Sequence, residues 1–360
     1  MNDASTQAGV CPITMTMRWY GPGDPVPLAH MRQVPGVTGV VSAVSGVPAG
    51  EAWQADQVAA LRDEAKGAGL SLDVIESIAV SEEIKLAGDD ATRHADAWCA
   101  SLEAVAACGV KVVCYNFMPV SDWIRTDLAM PLDDGSTTLA YNDAAMPDFE
   151  KKVESGEARN LPAWDHLDFS RFGSLRERYQ ARGEGGLWDA LGAFLERVTP
   201  VAASLGIRLG IHPDDPCWSV LGLPRIITSP AAMKKVCGLA DDPANGLTYC
   251  TGSLGCDPAN DLVTGAKELA SRVSFVHARN VKTTGHRVFH ESAHPRGFGD
   301  VDLPAVLREL VRGGFRGPIR PDHGRMIWGE TGTPGYGLYD RALGAAYLLG
   351  ALDGIECAGG

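Results

Sequence analysis

Val273-Ser-Phe-Val-His-Ala-Arg-Asn-Val-Lys282 opens as an apolar, β-branched run and closes as a polar cluster. The first half reads as a strand buried on both faces. It ends on His277, with Arg279, Asn280 and Lys282 in the loop that follows. The same order, an apolar strand and then a polar group at its C-terminal end, occurs three more times nearby. Ile207-Arg-Leu-Gly-Ile-His212 ends on a histidine, Leu247-Thr-Tyr-Cys250 on a cysteine, and Pro318-Ile-Arg-Pro-Asp322-His323 on an aspartate and a histidine. Four successive strands that deliver a metal-type ligand at the same end predict one divalent-metal site at the mouth of a barrel.

Read outward from there, the chain alternates strands with helices. The first four strands are Thr14–Tyr20, Val37–Ala43, Leu70–Ile75 and Val110–Tyr115, the last two followed by Glu76 and Asn116. Helical spacing of apolar residues covers 51–67, 90–108, 187–204, 260–271, 303–313 and 340–351. Eight strand–helix repeats imply a parallel sheet closed into a (β/α)₈ TIM barrel, one domain over residues 1–360. Active sites of such barrels lie at the C-terminal ends of the strands, where the polar groups fall. From about 120 to 185 no strand is legible, and the segment is rich in Asp, Glu and Arg. A structureless loop of that length is uncommon in a compact domain, so the segment predicts a helical insertion near the active-site face. Residues 1–12 lack periodicity and read as a frayed terminus.

A net charge of -13 argues against nucleic-acid and anionic-membrane partners. No apolar run is long enough to span a bilayer, and the N-terminus lacks the basic-then-apolar order of a signal peptide. The nine cysteines are scattered without C-x-x-C pairs, so no disulfides are assigned and a reducing, cytoplasmic location is expected. The expected assembly is a homo-oligomer, a dimer.

His212, Cys250, His277 and Asp322 offer two imidazoles, a thiolate and a carboxylate. That mixture of donors suits Mn²⁺, Fe²⁺, Co²⁺ or Zn²⁺ better than Mg²⁺ or Ca²⁺. Arg18, Arg279, Lys282 and Arg325, at or beyond strand ends, can neutralise a carboxylate substrate, and Asn116 stands at the fourth strand end. His290-Glu-Ser-Ala-His294 has the H-E-x-x-H spacing of a zincin pair, but Gly297 and Gly299 just after it speak for a loop rather than a helix, so both histidines are expected to face substrate from a loop. His323 can act as a general acid or base. Tyr336, within Pro334-Gly-Tyr-Gly337, sits in a loop able to close over a site. No P-loop, G-x-S-x-G or dinucleotide fingerprint is present.

Several of these stretches together resemble the mannonate dehydratase family. They are Arg18-Trp-Tyr-Gly21 with Asp24-Pro25, Cys114-Tyr-Asn-Phe-Met-Pro119, His212-Pro-Asp-Asp-Pro216 with Gly222-Leu-Pro-Arg225, and Cys250-Thr-Gly-Ser-Leu-Gly255. Phe275-Val-His-Ala-Arg-Asn280, Phe289-His-Glu-Ser-Ala-His294 and Arg320-Pro-Asp-His-Gly324 complete the set. The resemblance implies a xylose-isomerase-like barrel, one Mn²⁺ or Fe²⁺ ion, and loss of water from the sugar acid D-mannonate to give 2-keto-3-deoxy-D-gluconate. It places the metal ligands on His212, Cys250, His277 and Asp322, and the catalytic residues on His323 and Tyr336. Cys217-Trp218, Ser121, Ile124 and Ala278 depart from the family pattern and bear on which sugar acid is used. Two other readings stand beside it: a metal-dependent sugar isomerase or epimerase on the same barrel, and a non-catalytic paralogue that binds a sugar acid.

Overall fold

The computed structural model describes residues 13–155 and 171–359. Eight strands form the closed barrel: β1 (Thr14–Arg18), β2 (Val37–Ser42), β3 (Ser71–Glu76), β4 (Val112–Tyr115), β7 (Arg208–Ile211), β8 (Asn245–Cys250), β9 (Val273–His277) and β12 (Pro318–Arg320). Their order around the barrel is β1-β12-β9-β8-β7-β4-β3-β2, every neighbouring pair parallel. These are the eight strands expected, each within two or three residues of its expected bounds. Val41, Val74, Val112, Cys114 and Phe275 fill the barrel interior, while the larger apolar core lies between strands and outer helices. That double burial is why the strands read as continuous apolar runs rather than alternating ones. The register sets Glu76 beside Cys114, Cys250 beside His277 and His277 beside Arg320. The polar strand ends therefore stand level at one mouth.

Four further strands were not legible in the sequence. β5 (Asp127–Pro131), β6 (Thr137–Asn142), β10 (Asn280–Gly285) and β11 (Val288–Ser292) form a separate antiparallel sheet in the order β10-β11-β6-β5. The insertion expected to be helical is therefore mixed: a hairpin, then a helix over Met146–Glu154. Its residues 156–170, like the terminus 1–12, lie outside the described residues. The loop expected around His290 is strand β11, paired with β10 and β6. Both hairpins sit at the barrel mouth, and Thr137 bridges Met326 in the loop after β12. The sheet thus walls one side of the polar cluster.

Candidate active site

His277, buried at the end of β9, is the hub. Its Nδ1 lies 3.1 Å from Nε2 of His212 and 3.7 Å from Oδ2 of Asp322. Ligand atoms of His212, Cys250 and His277 all lie within 4.8 Å of one another, and Asp322 Oδ2 is 4.0 Å from the Cys250 sulfur. Partners on the far side of each ring set the tautomers. His212 Nδ1 lies 2.6 Å from the Pro213 carbonyl, which can only accept, so His212 Nε2 carries a lone pair. His277 Nε2 faces Glu76 Oε1 at 3.3 Å, which leaves the Nδ1 lone pair turned to the same point. Two lone pairs facing each other 3.1 Å apart repel unless a cation or proton lies between them. Their spacing suits two neighbouring ligands of one ion, each about 2.0–2.1 Å from it. The donors present therefore fit a divalent metal.

Cys250 caps the short helix Thr251–Gly255, its sulfur accepting from the Ser253 amide at 3.4 Å and the Ser253 hydroxyl at 3.0 Å. Asp322 follows β12 at φ 62°. This left-handed turn is made by a residue type that tolerates it. Asp322 is held between Arg320 and Arg279, each at 2.8 Å. Burial would raise the pKa of its carboxyl, but Arg320 and then His323, His277 and Arg279 hold it well below the usual carboxylate range.

Beneath these ligands runs a chain of alternating buried charges. Arg320 also meets Glu76 at 3.1 Å; Arg279 meets Asp215 at 2.6 Å and Glu291 at 2.8 Å; Arg125 meets Asp215 and Glu291, both at 2.7 Å. Each of these six side chains, like Asp322, has its partner in the network. His323 packs on Trp123, ring centroids 5.7 Å apart, and on Tyr336 at 5.5 Å. Burial pushes the His323 imidazole down to about 4 and the Tyr336 phenol well above its usual value.

Above the cluster an inner cavity of about 40 Å³ is lined by His212, Asp322, His323, Tyr336, Glu76 and Trp123. It shares Ser77, Asn116, Met118 and Asp122 with an outer cavity of about 300 Å³. The arrangement can bind an anion-bearing substrate at an ion and move a proton beside it.

The D-mannonate dehydratase (UxuA) family model matches residues 13–358. The chain belongs to that family. It is 45% identical over 347 residues to mannonate dehydratase 2 of Halalkalibacterium halodurans, covering 96% of this chain and all 100% of the relative. It is 42% identical to the mannonate dehydratase of Bacillus subtilis, covering 96% of this chain and 98% of that one. Among solved structures, the mannonate dehydratase from Streptococcus suis serotype 2 superposes with a TM-score of 0.88 at 40% identity, over 97% of this chain and 96% of the other. A xylose isomerase-like TIM barrel protein from Mycobacterium smegmatis in complex with magnesium gives 0.56 at 15% identity, covering 96% of this chain and 97% of that chain, a likeness of fold.

The structure brings His212, Cys250, His277, Asp322, His323 and Tyr336 to one mouth. Of the residues expected to face substrate, only Arg18 and Asn116 line the cavities. Arg18 lies over the Tyr20 ring at 4.5 Å and donates to the Trp19 and Val41 carbonyls. Arg279 is buried behind the ligands, committed to three carboxylates. Lys282 pairs with Asp300 on the outer edge, and Arg325 with Asp340 and Asp134. His290 turns Nδ1 to the Glu291 carbonyl at 2.8 Å, and His294 turns Nε2 to the Pro321 carbonyl at 2.9 Å. None of these last four lines either cavity. Sequence reasoning missed Glu76, Trp123, Arg125, Asp215, Glu291 and Arg320. Glu76 had the strand-end signal, and Glu291 stood inside the His290–His294 run, overshadowed by the two histidines.

Proposed function

We propose that this chain is a divalent-metal-dependent D-mannonate dehydratase that forms 2-keto-3-deoxy-D-gluconate. The observation that carries the reading is the convergence of His212, Cys250, His277 and Asp322 from four neighbouring barrel strands. These four would hold the ion, Mn²⁺ or Fe²⁺, a choice supported by their mixed nitrogen, sulfur and oxygen donors. When bound, the metal supplies Lewis-acid stabilisation of the charge that develops on the substrate carboxylate as the C2 proton leaves. Arg320 and Arg279 keep Asp322 ionised and fixed beside His277 and Cys250, where it would help to hold the ion. His323, neutral at neutral pH because burial opposes its charging, is suited to take the C2 proton. Tyr336, kept protonated by burial, is suited to donate to the departing C3 hydroxyl. Trp123 covers one side of this pair and limits water. Asn116 and Arg18, in the neck and the outer cavity, are placed to meet the polyol end of the acid.

A homo-oligomer belongs to the same reading, supported by the exposed apolar group of Trp328, Tyr339 and Leu343. A cytoplasmic location is supported by the free state of Cys99, Cys108, Cys114, Cys217, Cys237, Cys250 and Cys256. No helix among the described residues is long and apolar enough to cross a membrane. The test is to incubate protein loaded with Mn²⁺ or Fe²⁺ with a panel of aldonates and of aldoses and ketoses. Appearance of a 2-keto acid from D-mannonate is expected; interconversion of sugars without any 2-keto acid would replace this reading with the isomerase one.

A further inference from the structure

Cys217 and Cys256 are buried thiols with no part in the proposed chemistry. Cys217 lies in the loop after β7 and Cys256 at the end of the helix Thr251–Gly255, yet their sulfurs stand 3.4 Å apart. Among the described residues, no other two cysteines are hydrogen-bonded to each other. The contact is held from outside. Cys256 donates to the Ser253 carbonyl at 3.1 Å, and Asn260 ties the two segments together by donating to the Thr228 carbonyl at 3.0 Å and the Leu254 carbonyl at 2.9 Å. Cys217 departs from the family pattern, but it lines neither cavity of the site and so is not placed to touch a sugar acid. Cys256 instead lines a separate cavity of about 370 Å³, together with Trp218, Thr283, His286 and Arg287. His286 and Arg287 are exposed, so this cavity is reached from solvent.

We propose that Cys217 and Cys256 form a reversible redox pair that closes to a disulfide on exposure to a peroxide and thereby loosens the metal site. Cys256, on the cavity wall, is the attacking thiol. Its sulfur takes an oxygen from hydrogen peroxide as the O–O bond breaks, giving a sulfenic acid and one water. The Cys217 sulfur then attacks that sulfur; the S–O bond breaks, the S–S bond forms, and the hydroxyl leaves as a second water with the Cys217 proton. Two electrons pass from the pair of thiols to the peroxide. A small dithiol reverses the reaction by exchange. Closure draws the sulfurs from 3.4 Å to the roughly 2.05 Å of a disulfide and removes the thiol that donates to Ser253. Both ends of the new bond adjoin supports of the ligands. Cys217 is two residues past Asp215, and Ser253 bonds both Asp215 and the Cys250 sulfur. The coupling to metal rests on the proposed ligand set; the disulfide does not.

The test treats the full chain, loaded with Mn²⁺, with hydrogen peroxide, blocks it with N-ethylmaleimide and digests it without reduction. The expected product is a peptide pair joined through Cys217 and Cys256, lighter by two hydrogens than the reduced peptides and separated by dithiothreitol. Recovery of both cysteines as maleimide adducts, or of Cys256 as its sulfinic acid with no link to Cys217, would overturn the proposal. Equilibrium dialysis reads the coupling. Oxidised wild-type protein should bind Mn²⁺ about 10–100-fold more weakly than reduced protein, the loss typical of disturbing an outer partner, and dithiothreitol should restore it. Cys217→Ser should keep its Mn²⁺ affinity before and after peroxide, which separates the effect from oxidation of Cys250. Should that variant not fold, Cys256→Ala takes its place with the same expectation. Unchanged affinity in the oxidised wild type, or an equal loss in the variant, defeats the switch. Reduced protein that binds no Mn²⁺ would sink the metal-site reading instead, and mass alone would still decide the disulfide.

Discussion

Asp322 and His323 are neighbours, yet one turns to the ligand cluster and the other to Trp123 and Glu291. The left-handed φ of 62° at Asp322 breaks the strand's alternation, so consecutive side chains can serve one site in different roles. The roles separate experimentally. Cys250→Ser and His277→Ala should each lower metal affinity by more than the roughly 10–100-fold typical of losing an outer partner. Equilibrium dialysis that finds unchanged affinity in either variant would remove that residue from the site. His323→Asn should retain metal and substrate binding while kcat falls about 10²–10⁴-fold. Near-normal turnover with a weakened metal site would make His323 a brace for Asp322 and nothing more.

At the scale of elements, the short helix Thr251–Gly255 is a platform for the buried charges. Its first residue follows the proposed ligand Cys250, Ser253 bonds both the sulfur and Asp215, and Gly252 leaves room for Arg279. A Cβ at Gly252 would collide with the Arg279 guanidinium and its Cγ. Arg279 cannot yield without breaking its pairs to Asp215, Glu291 and Asp322. Gly252→Ala should therefore cost about 1–3 kcal/mol, the usual penalty of overpacking a filled site. It should also weaken metal binding, because Asp322 loses one of its two arginines. Thermal unfolding and a metal titration on the same variant check both; a stable variant with normal affinity would show that Arg279 has slack. The accessory sheet works in the same direction, since Arg125 precedes β5 and Glu291 lies on β11, so two hairpins deliver opposite charges to one network.

For the whole molecule, the buried charges predict how stability responds to acid once metal is removed. Burial pushes His294 below its ordinary 6.5 and His323 to about 4. Between those values the unfolded chain binds protons that the folded chain refuses, so stability declines as pH falls from about 6.5 toward 4. Burial alone would raise Asp215, but Arg125 and Arg279 hold its carboxyl well below the usual range. Its contribution is fully present above about 4 and is lost as pH falls further, giving a second decline. The melting temperature of metal-free protein should trace both steps, and His294→Gln should shrink the first. A flat profile between pH 6.5 and 4 would mean that these histidines can charge within the folded protein.

Read as a sequence, the chain already held its barrel and the donors at its mouth. Both are local signals: an apolar run marks a strand buried on two faces, and the residue just past it must lie at the C-terminal end. Closing a parallel barrel brings those ends together whatever the loops do. The accessory sheet was not legible because β5 alternates between exposed and half-buried residues and its only support is pairing. β5 pairs with β6, and β6 in turn pairs Ala140 with His290 of β11 across the chain; register between such distant segments leaves no local mark. Nor could sequence say whether an arginine at a strand end meets substrate or a carboxylate. Arg18 reaches a cavity and Arg279 does not, because only the folded chain places Asp215, Glu291 and Asp322 around the second. A buried charge takes its function from its neighbours, and here those neighbours are supplied by tertiary structure alone.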